Sequence, residues 1–148
     1  LILVGHPLEA SVVRLVKLYQ EVFPSMKVVH DASDNQIKEW LDRADFTIFP
    51  SVEEGFGLPI VESLWHGKPV ICDNQRAINE IAGDGGCLQV DVLNVEQLAE
   101  AIVTLATDFD VYRSKCKEIK NRSFNTWDDY ASSIAFLMTS HYSADETS

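Results

Sequence analysis

Two glutamates, Glu54 and Glu62, flank a glycine-containing turn with seven residues between them, in the run Pro50-Ser51-Val52-Glu53-Glu54-Gly55-Phe56-Gly57-Leu58-Pro59-Ile60-Val61-Glu62-Ser63-Leu64. Carboxylates accept hydrogen bonds from hydroxyls more strongly than neutral side chains do, so a pair of them suits a polyol. Gly55 and Gly57 allow a sharp turn and a close approach of backbone to ligand. Pro59 suits the first turn of a helix, where a missing N–H costs nothing. A helix start of this kind directs unpaired N–H groups and the positive end of its dipole at an anion. The ligand that would use every part is a phosphate compound bearing hydroxyls.

Elements that position this run follow from apolar spacing. Phe46 to Pro50 reads as a buried parallel strand feeding the turn, and Pro59 to His66 as the helix behind it, stopped by Gly67. Leu1 to Val4 reads as a buried strand, and Leu8 to Phe23 as a helix with Val12, Leu15, Val16, Tyr19 and Phe23 on one side. Lys27 to His30, Pro69 to Cys72 and Cys87 to Val90 are further strands. Ser33 is placed to cap a helix whose inner face is Ile37, Trp40 and Leu41. Arg76 to Ala82, Val95 to Thr107, Val111 to Lys120 and Thr126 to His141 complete the helices. Strands alternating with helices predict an α/β fold: a Rossmann-like parallel sheet with helices on both faces. Ligands of such sheets bind at the carboxyl ends of the strands, where Gly5, His30-Asp31-Ala32, Ser51 to Gly57 and Asp73-Asn74 all fall.

Composition narrows the partners. With 148 residues, 46% apolar and 24% charged, the chain matches one soluble globular domain, expected over 1–142 with a disordered tail at 143–148. A net charge of −11 argues against nucleic acid or an anionic membrane face, although local amides can still hold a phosphate. No run of eighteen apolar residues exists, so no transmembrane segment is expected. Cys72, Cys87 and Cys116 are widely spaced and read as reduced thiols, and the scattered His6, His30, His66 and His141 suggest no metal site. The opening Leu1-Ile2-Leu3-Val4-Gly5 has no initiator methionine and no leader, and reads as a piece of a longer polypeptide with a cytoplasmic location, at most peripheral at a membrane.

The Glu54–Glu62 run resembles the E-x7-E motif of retaining, nucleotide-sugar-dependent glycosyltransferases of the GT-B fold, family GT4. Trp65-His66-Gly67-Lys68-Pro69-Val70-Ile71 and Ala77-Ile78-Asn79-Glu80-Ile81-Ala82-Gly83-Asp84 are similar to the segments that follow it in that family. The resemblance implies the C-terminal, donor-binding half of a GT-B fold, incomplete on its N-terminal side. Glu54 would contact the donor sugar and serve catalysis, Glu62 would bind the nucleoside ribose, and main-chain groups of Gly55, Phe56, Gly57 and Leu58 would meet the phosphate or sugar. Asp31 and Ala32 would line the base pocket. The family works without a bound metal or other cofactor. Its acceptor, a saccharide or lipid-linked acceptor, binds through an N-terminal domain. An upstream Arg and Lys that grip the diphosphate in the family have no match in His6-Pro7-Leu8-Glu9, so this chain alone is expected to be inactive.

Each residue also has a plainer account. Glu62 alone could be a solvated acid favoured by the helix dipole, and Glu53 is read that way. Phe56, Trp65, His66 and Trp127 read as packing residues, Trp127 lying in a segment similar to the family's last helix. Asp84, Asp91, Asp108, Asp110 and Glu118 are assigned to solvated faces. A nucleotide-sugar epimerase or phosphorylase relative would not be expected to combine this turn with Glu62. A non-catalytic nucleotide-sugar-binding or assembly module stays open.

Overall fold

The structure, a computed structural model, describes residues 1–5, 9–74, 76–124 and 126–142. His6, Pro7, Leu8 and the tail from Ser143 to Ser148 therefore lie outside the described residues, and with them the expectations placed there. Along the chain run β1 (Ile2–Val4), α1 (Ala10–Val22), β2 (Lys27–Val29), α2 (Asp34–Arg43), β3 (Thr47–Phe49) and α3 (Leu58–Trp65). They are followed by β4 (Val70–Asp73), α4 (Arg76–Ala82), β5 (Cys87–Val90), α5 (Val95–Thr107), α6 (Phe109–Lys120) and α7 (Trp127–Tyr142). All strand pairings are parallel, in two ladders, β1-β2 and β3-β4-β5. The chain divides into two compact units, Leu1–Ala44 and Asp45–Ser148. This is the α/β, Rossmann-like architecture expected of the GT-B type, with parallel strands flanked by helices.

In the second unit the strand Val70-Ile71-Cys72-Asp73 is buried along its whole length because helices cover both faces of the ladder. Successive side chains of a strand point to opposite faces. Val70 and Cys72 accordingly pack with Cys87, with Ile60 and Leu64 of α3, with Ile78 and Ile81 of α4, and with Ile119 of α6. Ile71 faces the other way, onto Ala101 and Leu105 of α5, beside Ile48 and Leu88. The register Ile48↔Ile71↔Leu88 keeps those three apolar side chains on one face. The three cysteines are free; Cys72 and Cys87 are buried and Cys116 half-buried. Hydrogen bonding to Cys87 and burial push the Cys72 thiol well up, so it stays protonated.

The first unit is built differently. β1 was expected to be buried, but all three of its residues are exposed, Leu3 at 37%. A two-stranded ladder with two helices cannot cover an apolar strand on both faces. Ser33 caps α2 in a full capping box: Gln36 N–H donates to Ser33 Oγ at 3.4 Å, and Ser33 N–H donates to Gln36 Oε1 at 2.9 Å. Ile37, Trp40 and Leu41 form its half-buried face.

Two expectations at α6 need correction. The helix starts at Phe109, two residues earlier than the expected Val111, because Asp108 Oδ1 accepts from the N–H groups of Asp110 and Val111, each at 3.0 Å. Glu118 is not on a solvated face. Its Oε2 accepts from Gly86 N–H at 2.8 Å and from Lys115 Nζ at 2.9 Å, tying α6 to the start of β5. Lys115 lies three residues away on the same helix, but the Gly86 N–H is brought to Glu118 only by tertiary packing, which sequence alone could not show.

Candidate functional site

The Pro50–Leu64 segment is a loop from the end of β3 into α3, all within the second unit. Gly57 is the N-cap of α3, at φ +74°, a left-handed conformation that favours glycine. A Cβ there would also come within 3.3 Å of Ile60 Cδ1 and 3.6 Å of Ile81 Cδ1, so the turn is held against the core. Gly55 differs from expectation: its φ is not positive and no atom lies within 4 Å of where its Cβ would be. The turn does not need glycine at 55; the missing side chain only leaves the backbone open.

The helix start is partly satisfied from within. Ile60 N–H donates to Gly57 O at 2.9 Å and Val61 N–H to the same oxygen at 3.3 Å, while Pro59 has no N–H. The N–H groups of Gly55, Phe56, Gly57 and Leu58 have no backbone acceptor among the described residues. Four amides, therefore, rather than the whole first turn, could bind an anion there.

The two carboxylates frame these amides in sequence. Glu54 is half-buried and Glu62 exposed, and neither side chain has a hydrogen-bonding or ionic partner among the described residues. Glu53, beside them, is exposed, as expected of a solvated acid. The residue after Glu62 was missed by sequence reasoning. Ser63 is fully buried and shares a hydrogen bond of 2.7 Å with Thr47 Oγ1 of β3, while its own hydroxyl donates to Lys68 O at 3.2 Å. The far end of α3 closes in a Schellman turn, Lys68 N–H to Ser63 O and Gly67 N–H to Leu64 O, each 2.9 Å. Ser63 thus pins the helix that carries Glu62 to the strand that precedes Glu54. Its only sequence signal was a small hydroxyl inside an apolar stripe.

Aromatic residues near and beyond the motif depart from their expected packing. Phe56 is 62% exposed instead of packed, and its neighbour Leu58 is 60% exposed. Trp65 meets Phe124 edge-on with ring centres 5.4 Å apart, yet is 59% exposed. Trp127 is 85% exposed and touches Tyr130 edge-on, so it is no core residue. An apolar residue type alone does not decide burial.

Other strand ends contribute less. Asp73, at the end of β4, is buried, and its Oδ1 accepts from Val92 N–H at 3.2 Å, a bond that supports the turn after β5. Asp31 and Ala32 follow β2 in the first unit, Asp31 exposed and Ala32 half-buried. In that unit His30 Nδ1 lies 3.0 Å from Gly5 O, joining the ends of β2 and β1. Among the described residues no three His, Cys, Asp or Glu side chains gather as a metal site would require, and no helix is long and apolar enough to cross a membrane.

The family described as glycosyl transferases group 1 matches residues 1–108 of the chain. O-antigen chain mannosyltransferase B of Escherichia coli is 39% identical over 61 residues, which are 41% of this chain and 16% of that protein. O-antigen chain mannosyltransferase RfbU of Salmonella typhimurium is 29% identical over 91 residues, 55% of this chain and 26% of that protein. MMP alpha-(1->4)-mannosyltransferase of Mycolicibacterium hassiacum is 32% identical over 80 residues, 51% of this chain and 20% of that protein. The chain thus spans a minor share of each relative's length. Among solved structures, sucrose-phosphate synthase from Thermosynechococcus elongatus superposes with a TM-score of 0.76 at 23% identity, over 97% of this chain and 38% of that one, a likeness of fold.

Proposed function

Because the chain belongs to the glycosyl transferases group 1, we propose that its Glu54–Glu62 segment holds the nucleoside-diphosphate sugar in a GT4-type sugar transfer that retains anomeric configuration. The observation that carries this reading is the pair of carboxylates without partners, set in sequence around four N–H groups that lack backbone acceptors. Amides take the diphosphate, and carboxylates take hydroxyls. In this reading Glu62 accepts from two ribose hydroxyls and Glu54 faces the donor sugar. The bond between the anomeric carbon and the diphosphate oxygen breaks with oxocarbenium character, and the oxygen of an acceptor hydroxyl forms the new bond as its proton passes to the departing diphosphate. Charge builds on the departing diphosphate, where the N–H groups of Gly55, Phe56, Gly57 and Leu58 stabilise it most in the transition state. No metal or cofactor has a part in this scheme. Since the relatives are several times longer than the matched stretch, acceptor binding and turnover are assigned to a longer polypeptide, with a saccharide or lipid-linked acceptor, at a cytoplasmic site.

The test is transfer by the full-length protein carrying Glu54→Gln or Glu62→Ala. Glu54→Gln is expected to lower kcat by roughly 100-fold or more while donor affinity changes less than about threefold. Glu62→Ala is expected to weaken donor binding first. Unchanged transfer in Glu54→Gln would remove that residue from the mechanism. A wild type that binds nucleotide sugar and transfers nothing would mark a non-catalytic binding module instead.

A further inference from the structure

We propose that the Phe56 side chain is a contact surface for the apolar face of a pyranose ring, and so determines which saccharide the site accepts. This rests on the sugar-transfer reading above and adds a residue whose side chain that reading does not use. Phe56 is 62% exposed and has no ring or cation contact among the described residues. It is followed by Gly57, whose left-handed backbone is held close to Ile60 and Ile81, so the exposed ring stands on a fixed turn rather than a loose one. Leu58, which follows that glycine, is also 60% exposed. Gly55, just before Phe56, has nothing but its chain neighbours within 4 Å of its Cβ position, so the backbone there is open.

The chemistry of these neighbours selects the ligand. Glu54 and Glu62 accept hydrogen bonds and repel anions, whereas an aromatic face carries partial negative charge and attracts polarised C–H groups. A pyranose presents hydroxyls at its rim and C–H groups on its face, which meets both demands at once. A diphosphate meets neither and belongs with the amides. The pyranose could be that of the donor or that of the acceptor; the ring chemistry is the same.

The experiment uses the full-length protein and its Phe56→Leu, Phe56→Ala and Phe56→Tyr variants. UDP, GDP and ADP are titrated calorimetrically, each alone and as its hexose conjugate, and acceptor KM is measured with the conjugate that binds. Phe56→Leu and Phe56→Ala are expected to weaken the hexose conjugate by up to about tenfold without weakening the bare nucleotide, and Phe56→Tyr to stay within about threefold of wild type. A loss confined to acceptor KM would also support the contact and place the acceptor's pyranose on the ring. An equal loss for nucleotide and conjugate would overturn the proposal, because the ring would then serve the nucleotide. So would unchanged binding and KM in Phe56→Ala. Failure of the wild type to bind any nucleotide or transfer any sugar would instead overturn the donor-site reading, and this inference with it.

Discussion

The two compact units hold apolar residues of the same types and treat them in opposite ways. Among the described residues of Leu1–Ala44 none is buried, whereas the second unit encloses Ile60, Leu64, Val70, Ile71 and Cys72 completely. The difference lies in how many elements cover each strand. β4 has a strand on either side and helices on both faces; β1 has one neighbouring strand. Apolar burial stabilises by about 25 cal/mol for each Å² removed from water, so coverage, not composition, concentrates stability in the second unit. The candidate site gains from this. Its glycine turn and helix pack against the fully buried strand β4 and helix α4, and a site that must place two carboxylates needs such support.

The sharpest way to break this comparison is to truncate one leucine in each unit. Leu64→Ala, which empties a fully buried position of α3, is expected to cost about 3–5 kcal/mol in urea unfolding. Leu3→Ala, at a position 37% exposed, is expected to cost about 1 kcal/mol or less. Native-state hydrogen exchange should agree, with the amides of Ile71 and Cys72 protected longest and those of β1 opening locally. Equal losses in the two variants would mean that β1 is covered in solution and that the contrast between units fails.

The elements of both units were largely legible in the residues, the contrast in their burial was not, and the illegible part has a physical reason. The order of strands and helices followed from apolar spacing, the cap at Ser33 from its distance to Gln36, and the turn at Gly57 from its position between an apolar strand and Pro59. These are local signals, set within a few residues of chain. Burial of Leu1 to Val4 was expected wrongly because an apolar run shows a strand but not what covers it. Ser63 and Thr47 were passed over, and Glu118 was assigned to a solvated face, for a related reason. Thr47 lies 16 residues from Ser63 and Gly86 lies 32 from Glu118, and each pair meets only once the ladder has formed. Phe56 and Trp127 failed in the other direction, since aromatic type was taken for burial.

The hydroxyl of Ser63 offers a second, smaller test. Ser63→Ala removes the hydroxyl that bonds Thr47 Oγ1 and Lys68 O in a half-buried place, an expected loss of about 1–2 kcal/mol. The comparable tie in the first unit, His30 Nδ1 to Gly5 O, is exposed, and His30→Ala should cost less than about 1 kcal/mol. Ser63→Ala should also weaken donor binding through the orientation of Glu62, and Ser63→Thr should restore little because a fully buried position has no room for another methyl. If Ser63→Ala unfolds at the wild-type urea midpoint, the buried bridge contributes nothing and the two ties are equivalent.

Charge gives the smallest effect and separates the units by its dependence on pH. Burial alone would push the Glu118 carboxyl up, but the Gly86 N–H, the Lys115 ammonium and the Ser114 hydroxyl outweigh it and hold it below its ordinary value of 4.5. A carboxyl lowered in the folded state binds its proton less readily there than in the unfolded chain. Its stabilisation is therefore complete above the unfolded value, near pH 4.5, and is lost as pH falls through the folded value. Glu118 is 34% exposed at the side chain, so solvent screening keeps the contribution near or below about 1 kcal/mol. Glu118→Gln should accordingly lower the urea midpoint at pH 7 and flatten its decline between pH 5 and pH 3. In α2 of the first unit Glu39 meets Arg43 at 3.5 Å with both side chains exposed, and Glu39→Gln should change stability by less than about 0.5 kcal/mol at pH 7. The distinction is between a carboxylate that accepts from a backbone N–H of another element and one that only faces a neighbour on its own helix. Parallel pH profiles for Glu118→Gln and wild type would show that the Gly86 bond contributes no linkage, and the tie between α6 and β5 would then rest on apolar packing alone.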